Sequence, residues 1–197
     1  MTATQSQPLP EAAVDPLFDP KLAQFLVSRR DVARIVDLCE RLPSQVSHII
    51  EGNVYRFLPE VRDVRQQWIP NVLFTQWLFE FIGELTDADV SRIGTISYLT
   101  YSVGHHYKWH ADVCPDHLDV AWRKWTGSIQ LSDPLEYDGG ELQLRADPHD
   151  YVMEKALGSV LVFNPEIAHR VTPVTRGTRR SLVFWLADEG VRAPQRR

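Results

Sequence analysis

The most constraining feature of this sequence is a series of short β-type segments that fills its second half. From Gly94 onward, runs rich in β-branched and aromatic residues alternate with stretches of Gly, Pro and Asn that favour turns. Eight segments are predicted to be strands: 95–103, 107–112, 125–131, 141–145, 151–154, 159–163, 168–174 and 179–186. Eight short strands at this spacing predict a mainly β fold, a double-stranded β-helix or jelly roll.

Two supporting helices are predicted before the strands. Ser28 or Asp31 is suited to cap the first, whose apolar residues recur at helical spacing as Val32, Ile35, Val36, Cys39 and Leu42 before Pro43. Asn71 is predicted to cap the second, with an apolar face of Phe74, Trp77, Leu78, Phe81, Ile82 and Leu85. We expect both helices to cover one outer face of the β structure. Residues 54–58 form a further candidate strand.

The chain of 197 residues has the length of one domain. We place that domain at residues 17–190, including the N-terminal helical layer. Residues 1–16 carry three prolines and little apolar periodicity, which predicts a mobile arm; an alternative is a segment that folds over a substrate. Residues 191–197 are predicted to be a C-terminal tail.

Charge and composition argue against several classes of partner. The net charge is −5 with no basic cluster, so neither nucleic acid nor a membrane surface is an expected partner. No apolar stretch reaches the length of a membrane span, and the N-terminus lacks the pattern of a signal peptide. Cysteine is limited to Cys39 and Cys114, which fits a reducing compartment rather than a disulfide framework. We therefore expect a cytoplasmic protein; the sequence gives no indication of its oligomeric state.

A candidate metal site lies in the predicted strands. His110 and Asp112 are two residues apart, so both side chains leave the same face of an extended strand. His169 follows much later, and the fold must bring it back. Two imidazoles and one carboxylate form the facial triad that binds non-haem Fe(II) and leaves coordination positions open. Zinc accepts the same ligands. The other histidines are predicted to be structural (His48), at the cavity entrance (His105, His106) or exposed (His117, His149).

Arg179 and Ser181 follow His169 by ten and twelve residues. On a strand they share a face, which presents a fork of donors and a hydroxyl to one carboxylate. A zinc hydrolase has no need of such a pair, so this spacing favours iron.

This ordered set resembles the Fe(II)/2-oxoglutarate-dependent dioxygenases, especially the short bacterial hydroxylases of the prolyl/lysyl hydroxylase branch. The segments 131–142, with its Gly-Gly-Glu, 157–163 and 169–185 are similar to that family as well. The resemblance covers about half of the chain, roughly 96–188. It implies Fe(II), 2-oxoglutarate and O2 as cofactors. It also implies hydroxylation of an unactivated C–H of an amino-acid-like substrate, either a prolyl or similar residue or a small molecule, with release of succinate and CO2.

The resemblance also assigns roles to individual residues. Related halogenating enzymes carry a small residue in place of Asp112, so its presence favours hydroxylation. Tyr101 matches a tyrosine that donates to 2-oxoglutarate, with packing inside the sheet as the alternative. Gln130 stands where many relatives have a tyrosine for the far carboxylate, and its amide is expected to substitute. Arg123 matches an arginine near the substrate.

The substrate region is predicted around residues 113–125, a candidate lid over the site. Trp109, Trp122 and Trp125 are candidates for an apolar wall, with packing at the sheet edges as the alternative. A catalytically silent metal-binding jelly roll, acting as a sensor or binding module, is the competing hypothesis for function. The Arg179/Ser181 pair argues against it.

Overall fold

The computed structural model describes residues 23–51, 54–114, 117–145 and 150–187, with the side chains of residues 23–25 excepted. The predicted arm at 1–16, the predicted tail at 191–197 and His149 lie outside these residues. The strands are β1 Ala23–Leu26, β2 Gln45–Val46, β3 Ile49–Glu51, β4 Val54–Arg56, β5 Arg62–Asp63, β6 Arg65–Ile69, β7 Ile93–Tyr101, β8 His106–His110, β9 Trp125–Gln130, β10 Tyr137–Gly139, β11 Leu142–Leu144, β12 Tyr151–Val152, β13 Ser159–Phe163, β14 His169–Val171, β15 Val174–Gly177 and β16 Arg179–Leu186. The helices are α1 Arg29–Cys39, α2 Gln76–Thr86 and α3 Leu118–Ala121, with a 3-10 turn at Val90–Arg92.

Two antiparallel sheets make up the body of the fold. The larger sheet has seven strands in the order β1-β13-β9-β16-β7-β6-β2, and the smaller has five in the order β12-β11-β14-β8-β5. The strand pairs β10-β15 and β3-β4 form two further, two-stranded sheets. The predicted mainly β architecture is confirmed.

Strand β16 lies inside the larger sheet between β7 and β9, and its two faces contribute to different layers. Leu182, Phe184 and Leu186 belong to an apolar core on the helix side, together with residues of α1 and α2. Arg179 and Ser181 lie on the other face, toward a cavity between the sheets. Because successive side chains of a strand point to opposite faces, β16 contributes apolar residues to the core and polar residues to the cavity.

The helices occupy the outer face of the larger sheet, as predicted. Helix α1 begins after Ser28, whose hydroxyl accepts a hydrogen bond from the Asp31 N–H at 3.2 Å, an ordinary N-cap contact. Cys39 is fully buried in the core between helix and sheet, and burial raises the pKa of its thiol to about 12. In the described part of the chain, no helix combines the length and apolar character needed to cross a membrane.

The prediction for the start of α2 was wrong. The helix begins at Gln76 rather than after Asn71, and Phe74 is 59% exposed rather than part of the buried face. The Thr75 hydroxyl explains the difference, because it donates to the carbonyl of Val72 at 3.0 Å and accepts from the N–H of the same residue at 3.1 Å. These bonds stabilise a turn before the helix, a familiar competition between a short polar side chain and helical backbone bonds.

Several N-terminal strands were not predicted, and β6 shows why. Its sequence at Arg65–Ile69 has no simple apolar alternation, yet Gln66 is buried. The Gln66 amide accepts from the Ser47 hydroxyl and donates to the Ser97 hydroxyl, both at 2.8 Å. A buried polar group is tolerated when its hydrogen bonds are satisfied. The partners come from distant parts of the chain, so local periodicity carries no sign of this strand.

The predicted strand at 168–174 is divided into β14 and β15. Pro173 lies between them, and because it has no backbone N–H it cannot donate a hydrogen bond to a neighbouring strand. β15 turns away to pair with β10, which was also not predicted.

Gly127 provides a stability prediction for the larger sheet. A Cβ atom at this position of β9 would lie 2.1 Å from Cζ of Phe184, which is fully buried on the neighbouring strand. We expect Gly127→Ala to lower the free energy of unfolding by about 1–3 kcal/mol, because the overlap forces the ring or the strand to move. Urea denaturation measures the change. Combined with Phe184→Leu, Gly127→Ala should cost less than it does alone; additive effects would contradict the proposed overlap.

Candidate active site

A bulge in β8 determines which side chains reach the cavity between the sheets. His110 is opposite His169 and Tyr107 is opposite Val171, so β8 carries one more residue than β14 over the same span. His110 and Tyr107 therefore both line the cavity although they are three residues apart. Their rings stack with centroids 3.4 Å apart.

Asp112 lies beyond the end of β8, which contradicts the prediction of one strand from 107 to 112. Its N–H donates to the carbonyl of Pro165 at 2.9 Å, in the loop that leads into His169. This long-range bond, rather than strand alternation, brings the carboxylate to the two imidazoles.

The three predicted ligands meet at one point. Nε2 of His110 is 3.6 Å from Oδ1 of Asp112, and Nε2 of His169 is 3.5 Å from Oδ2. The three ligand atoms lie within 4.8 Å of one another, and no other metal-binding group of this kind occurs among the described residues.

The protonation of this group suits a divalent metal ion. Nδ1 of His110 is 2.8 Å from the Lys108 carbonyl, and Nδ1 of His169 is 2.9 Å from the Ile167 carbonyl. Carbonyl oxygens only accept, so each Nδ1 carries the proton and each Nε2 keeps its lone pair for a metal. Burial lowers the pKa of His110 to about 3, which keeps this ring neutral at pH 7. Burial opposes ionisation of Asp112, but His169, His110 and Arg123 outweigh it and hold its pKa below the usual range. The neutral His110 imidazole, the His169 imidazole and the Asp112 carboxylate thus form a donor set that fits Fe(II).

Two side chains of the larger sheet orient the carboxylate. Oδ2 of Asp112 accepts hydrogen bonds from Thr126 Oγ1 at 2.9 Å and from Trp185 Nε1 at 3.0 Å. Arg123 lies behind them: its guanidinium is 3.9 Å from the Trp185 ring centroid and donates to the Asp112 carbonyl at 2.8 Å. The contacts of Trp185 with the carboxylate were not anticipated, although alternation from Arg179 and Ser181 places it on the cavity face.

These contacts predict a role for Trp185 in metal affinity. We expect Trp185→Phe to weaken Fe(II) binding by about 10- to 100-fold, the usual effect of losing a partner of a metal ligand. Anaerobic Fe(II) titration measures it. Trp125 on the neighbouring strand is a matched control, because its buried indole N–H has no hydrogen-bond partner within the part of the chain that the structure describes. Equal losses in Trp185→Phe and Trp125→Phe would show that the indole bond to Asp112 is unimportant.

Arg179 and Ser181 lie in the same cavity as the triad. Arg179 is only 2% exposed, donates to the Ser181 hydroxyl at 3.2 Å, and lies 5.3 Å from the ring centroid of Tyr101. Tyr101 is also buried and lines the cavity. Burial raises the pKa of this phenol, so it remains a neutral hydrogen-bond donor.

Gln130 reaches this region through a tyrosine that the sequence did not single out. Its amide donates to the Tyr137 hydroxyl at 2.7 Å and to the Ser132 carbonyl at 3.3 Å. Tyr137 is buried in β10. Burial raises the pKa of its phenol, and the charge of Arg179 and a hydrogen bond from Arg179 oppose this rise. Gln130 therefore lies behind Arg179 and holds Tyr137. The segment around Tyr137 is irregular, so neither period nor spacing indicated it.

The predicted substrate residues are more dispersed. Trp109 lies outside the cavity because the bulge turns it outward, between the guanidinium groups of Arg145 at 4.2 Å and Arg170 at 4.6 Å. Trp122 packs over the backbone of Gly94, where a Cβ would be 1.9 Å from its ring. Trp122 therefore packs against the larger sheet, whereas Trp109 lies on the outward face of β8, an interior strand of the smaller sheet rather than an edge.

His117 is buried, with 8% exposure, so the prediction that it is exposed was wrong. Its ring lies 6.2 Å from that of Tyr55, whose hydroxyl donates to Asp119 at 2.9 Å. The strand pair β3-β4 and helix α3 therefore pack against each other. Burial through such distant contacts has no local sequence signal.

Comparison with protein-family models supports the geometry. Residues 96–187, just under half of the chain, match the 2OG-Fe(II) oxygenase superfamily. This match confirms the predicted resemblance, and the cofactors of that superfamily are Fe(II), 2-oxoglutarate and O2.

Curated relatives include PKHD-type hydroxylases. One from Xylella fastidiosa (strain M12) is 33% identical over 94 residues, which are 44% of this chain and 41% of the relative. Another, from Nitrosomonas europaea, is 34% identical over 97 residues, 47% of this chain and 42% of the relative. The chain thus spans less than half of the length of these relatives. Their names support the class of 2-oxoglutarate-dependent dioxygenases.

Solved structures share the fold. A Pseudomonas putida prolyl-4-hydroxylase superposes with a TM-score of 0.64 at 19% identity, covering 84% of this chain and 92% of the other. A Trichoplax adhaerens prolyl hydroxylase, in complex with a hypoxia inducible factor peptide fragment, gives 0.62 at 16% identity, covering 86% and 84%. These neighbours confirm the predicted jelly roll.

Proposed function

We propose that this protein is an Fe(II)- and 2-oxoglutarate-dependent hydroxylase that oxidises an unactivated C–H of an amino-acid-like substrate and releases succinate and CO2. The substrate is a prolyl or similar residue of a peptide, or a small molecule of that kind. The observation that carries the proposal is that the triad of His110, Asp112 and His169 shares one cavity with the buried pair Arg179 and Ser181.

Each part of the cavity has a separate task in this proposal. His110, Asp112 and His169 would hold Fe(II), which supplies the activation of O2 when bound. Arg179 and Ser181 would receive the far carboxylate of 2-oxoglutarate, with the neutral Tyr101 hydroxyl beside them. A guanidinium suits this role because its planar fork matches a carboxylate.

The remaining lining of the cavity is largely apolar. Leu99, Leu142, Phe163, Val171 and Val183 surround the polar groups. Such walls exclude water, which strengthens the charge contacts inside and limits side reactions of the oxidant. Residues 113–125 would close over the substrate, with α3 and its contact to Tyr55 as the packed part of this lid.

The peptide bound to the Trichoplax adhaerens neighbour favours a peptide substrate over a free amino acid. We place the reaction in the cytoplasm, where both free cysteines and an Fe(II) centre remain reduced.

A substrate screen tests this function. Peptides containing proline or lysine, and the free amino acids, are incubated with protein, Fe(II), 2-oxoglutarate and O2. We expect one class to gain the mass of a single oxygen atom with matching release of succinate, and we expect His169→Ala to produce neither. Binding of 2-oxoglutarate without succinate release from any candidate would favour a silent binding module instead.

A further inference from the structure

A second guanidinium lines the metal cavity besides that of Arg179. It belongs to Arg62 in β5, the edge strand of the smaller sheet, where Arg62 is paired with Tyr107 of β8. Arg62 is half-buried, whereas Arg179 is almost fully buried.

Known contacts account for only part of the Arg62 side chain. Its Nη1 donates to the His48 carbonyl at 2.9 Å, and its guanidinium carbon lies 4.7 Å from the centroid of the Tyr107 ring. Its Nε is buried and has no hydrogen-bond partner among the described residues. A buried donor without an acceptor destabilises the folded protein, and more so when the group is charged, so an acceptor from a ligand would remove this penalty.

The charge of Arg62 is also without a carboxylate partner in the described part of the chain, where no Asp or Glu forms an ion pair with it. Among the described residues that line the cavity, Asp112 is the only acidic one, and its oxygens are directed to the triad, Thr126 and Trp185. The guanidinium groups of Arg62 and Arg179 and the single carboxylate of Asp112 give the cavity an excess of positive charge. An anionic ligand would balance this charge.

Arg62 is close to the centre of the site. The Tyr107 ring that it covers stacks on His110. Arg123 differs, because it is bonded to the Asp112 carbonyl, packed on Trp185 and absent from the cavity lining.

We propose that Arg62 binds a carboxylate inside the metal cavity, separate from the carboxylate that Arg179 receives. This inference rests on the proposed function, which supplies two sources for that group. One is the carboxylate next to the keto group of 2-oxoglutarate, and the other is a carboxylate of the substrate.

Calorimetric titration of the metal-free protein with pairs of ligands distinguishes the two sources. Levulinate is 2-oxoglutarate with the carboxylate next to the keto group replaced by methyl, and 2-oxopentanoate lacks the far carboxylate. N-acetylproline and its amide, titrated into protein saturated with 2-oxoglutarate, differ only in a substrate-like carboxylate. The same titrations, repeated anaerobically with Fe(II), compare the ligand affinities in the holoenzyme.

Arg62→Gln should abolish either the preference for 2-oxoglutarate over levulinate or the preference for N-acetylproline over its amide. If the co-substrate is the source, 2-oxoglutarate binds about 10- to 100-fold more weakly while levulinate is unchanged, as expected for one charge-assisted hydrogen bond. If the substrate is the source, 2-oxoglutarate is unchanged and the preference for N-acetylproline over its amide disappears. Arg62→Lys should lie between wild type and Arg62→Gln, because it keeps the charge without the fork.

Arg65→Gln is the control, because Arg65 is exposed on β6 and, in the described ranges, its guanidinium donates to the Ser44 carbonyl alone, at 3.5 Å. It should bind every ligand as wild type does. Wild-type affinities for all four ligands in Arg62→Gln would overturn the proposal for Arg62 while leaving the proposed function intact. Absence of any 2-oxoglutarate binding to wild-type protein, even with Fe(II), would instead overturn the proposed function and this inference with it.

Discussion

Replacement of His110, Asp112 or His169 by alanine is expected to abolish Fe(II)-dependent turnover while the protein stays folded. Each change removes one of three ligands that lie within 4.8 Å of one another. We expect turnover to fall by about a thousand-fold or more, because the metal supplies several kcal/mol of the catalysis. The substrate-dependent release of succinate measures it, and Fe(II) titration separates lost binding from lost chemistry.

The fold should tolerate these changes because the three side chains line a cavity rather than fill the core. His106 provides the control: it is on the same strand, but its ring nitrogens face the carbonyls of Gly104 at 3.1 Å and Glu60 at 3.4 Å. His106→Ala should keep Fe(II) affinity. Retained oxidation of substrate in His169→Ala would contradict the assignment of the triad.

Arg179→Ala is expected to weaken the binding of 2-oxoglutarate by about 30-fold to several thousand-fold. The change removes a buried, charge-assisted contact and leaves a carboxylate unpaired, a loss of about 2–5 kcal/mol. Arg179→Lys should fall between, because an ammonium cannot reproduce the planar fork. The dependence of turnover on 2-oxoglutarate, or anaerobic titration with Fe(II), measures the effect.

The neighbouring arginine is a matched control. Arg180 points to the helix side of the sheet, where its Nε is 3.1 Å from Oε1 of Glu40 in a partly exposed ion pair. Arg180→Ala should leave the affinity for 2-oxoglutarate unchanged and lower stability by at most about 1 kcal/mol. If Arg180→Ala were damaging and Arg179→Ala silent, the co-substrate assignment would be wrong.

Alternation within single strands was the most reliable guide from the sequence. The bounds of β13 and β16 were predicted to the residue, and the two faces of β16 separate as expected because the side-chain period of a strand is a local property of the backbone. Helix α1 was predicted for the same reason, with Ser28 as one of two candidate caps beside Asp31, since its cap and apolar period depend on residues near in sequence.

The sequence by itself therefore determined the mainly β class, the helices on one outer face, and the ordered set of His110, Asp112, His169, Arg179 and Ser181. Only the tertiary structure decided how these residues meet. The bulge in β8 sends Trp109 outward and Tyr107 inward, and the bond from Asp112 to Pro165 replaces strand alternation as the means of convergence. The partners Trp185, Tyr137 and Arg62 come from strands far apart in the chain. Their roles depend on sheet pairing and on burial between sheets, which are set by long-range packing and leave no local pattern to read.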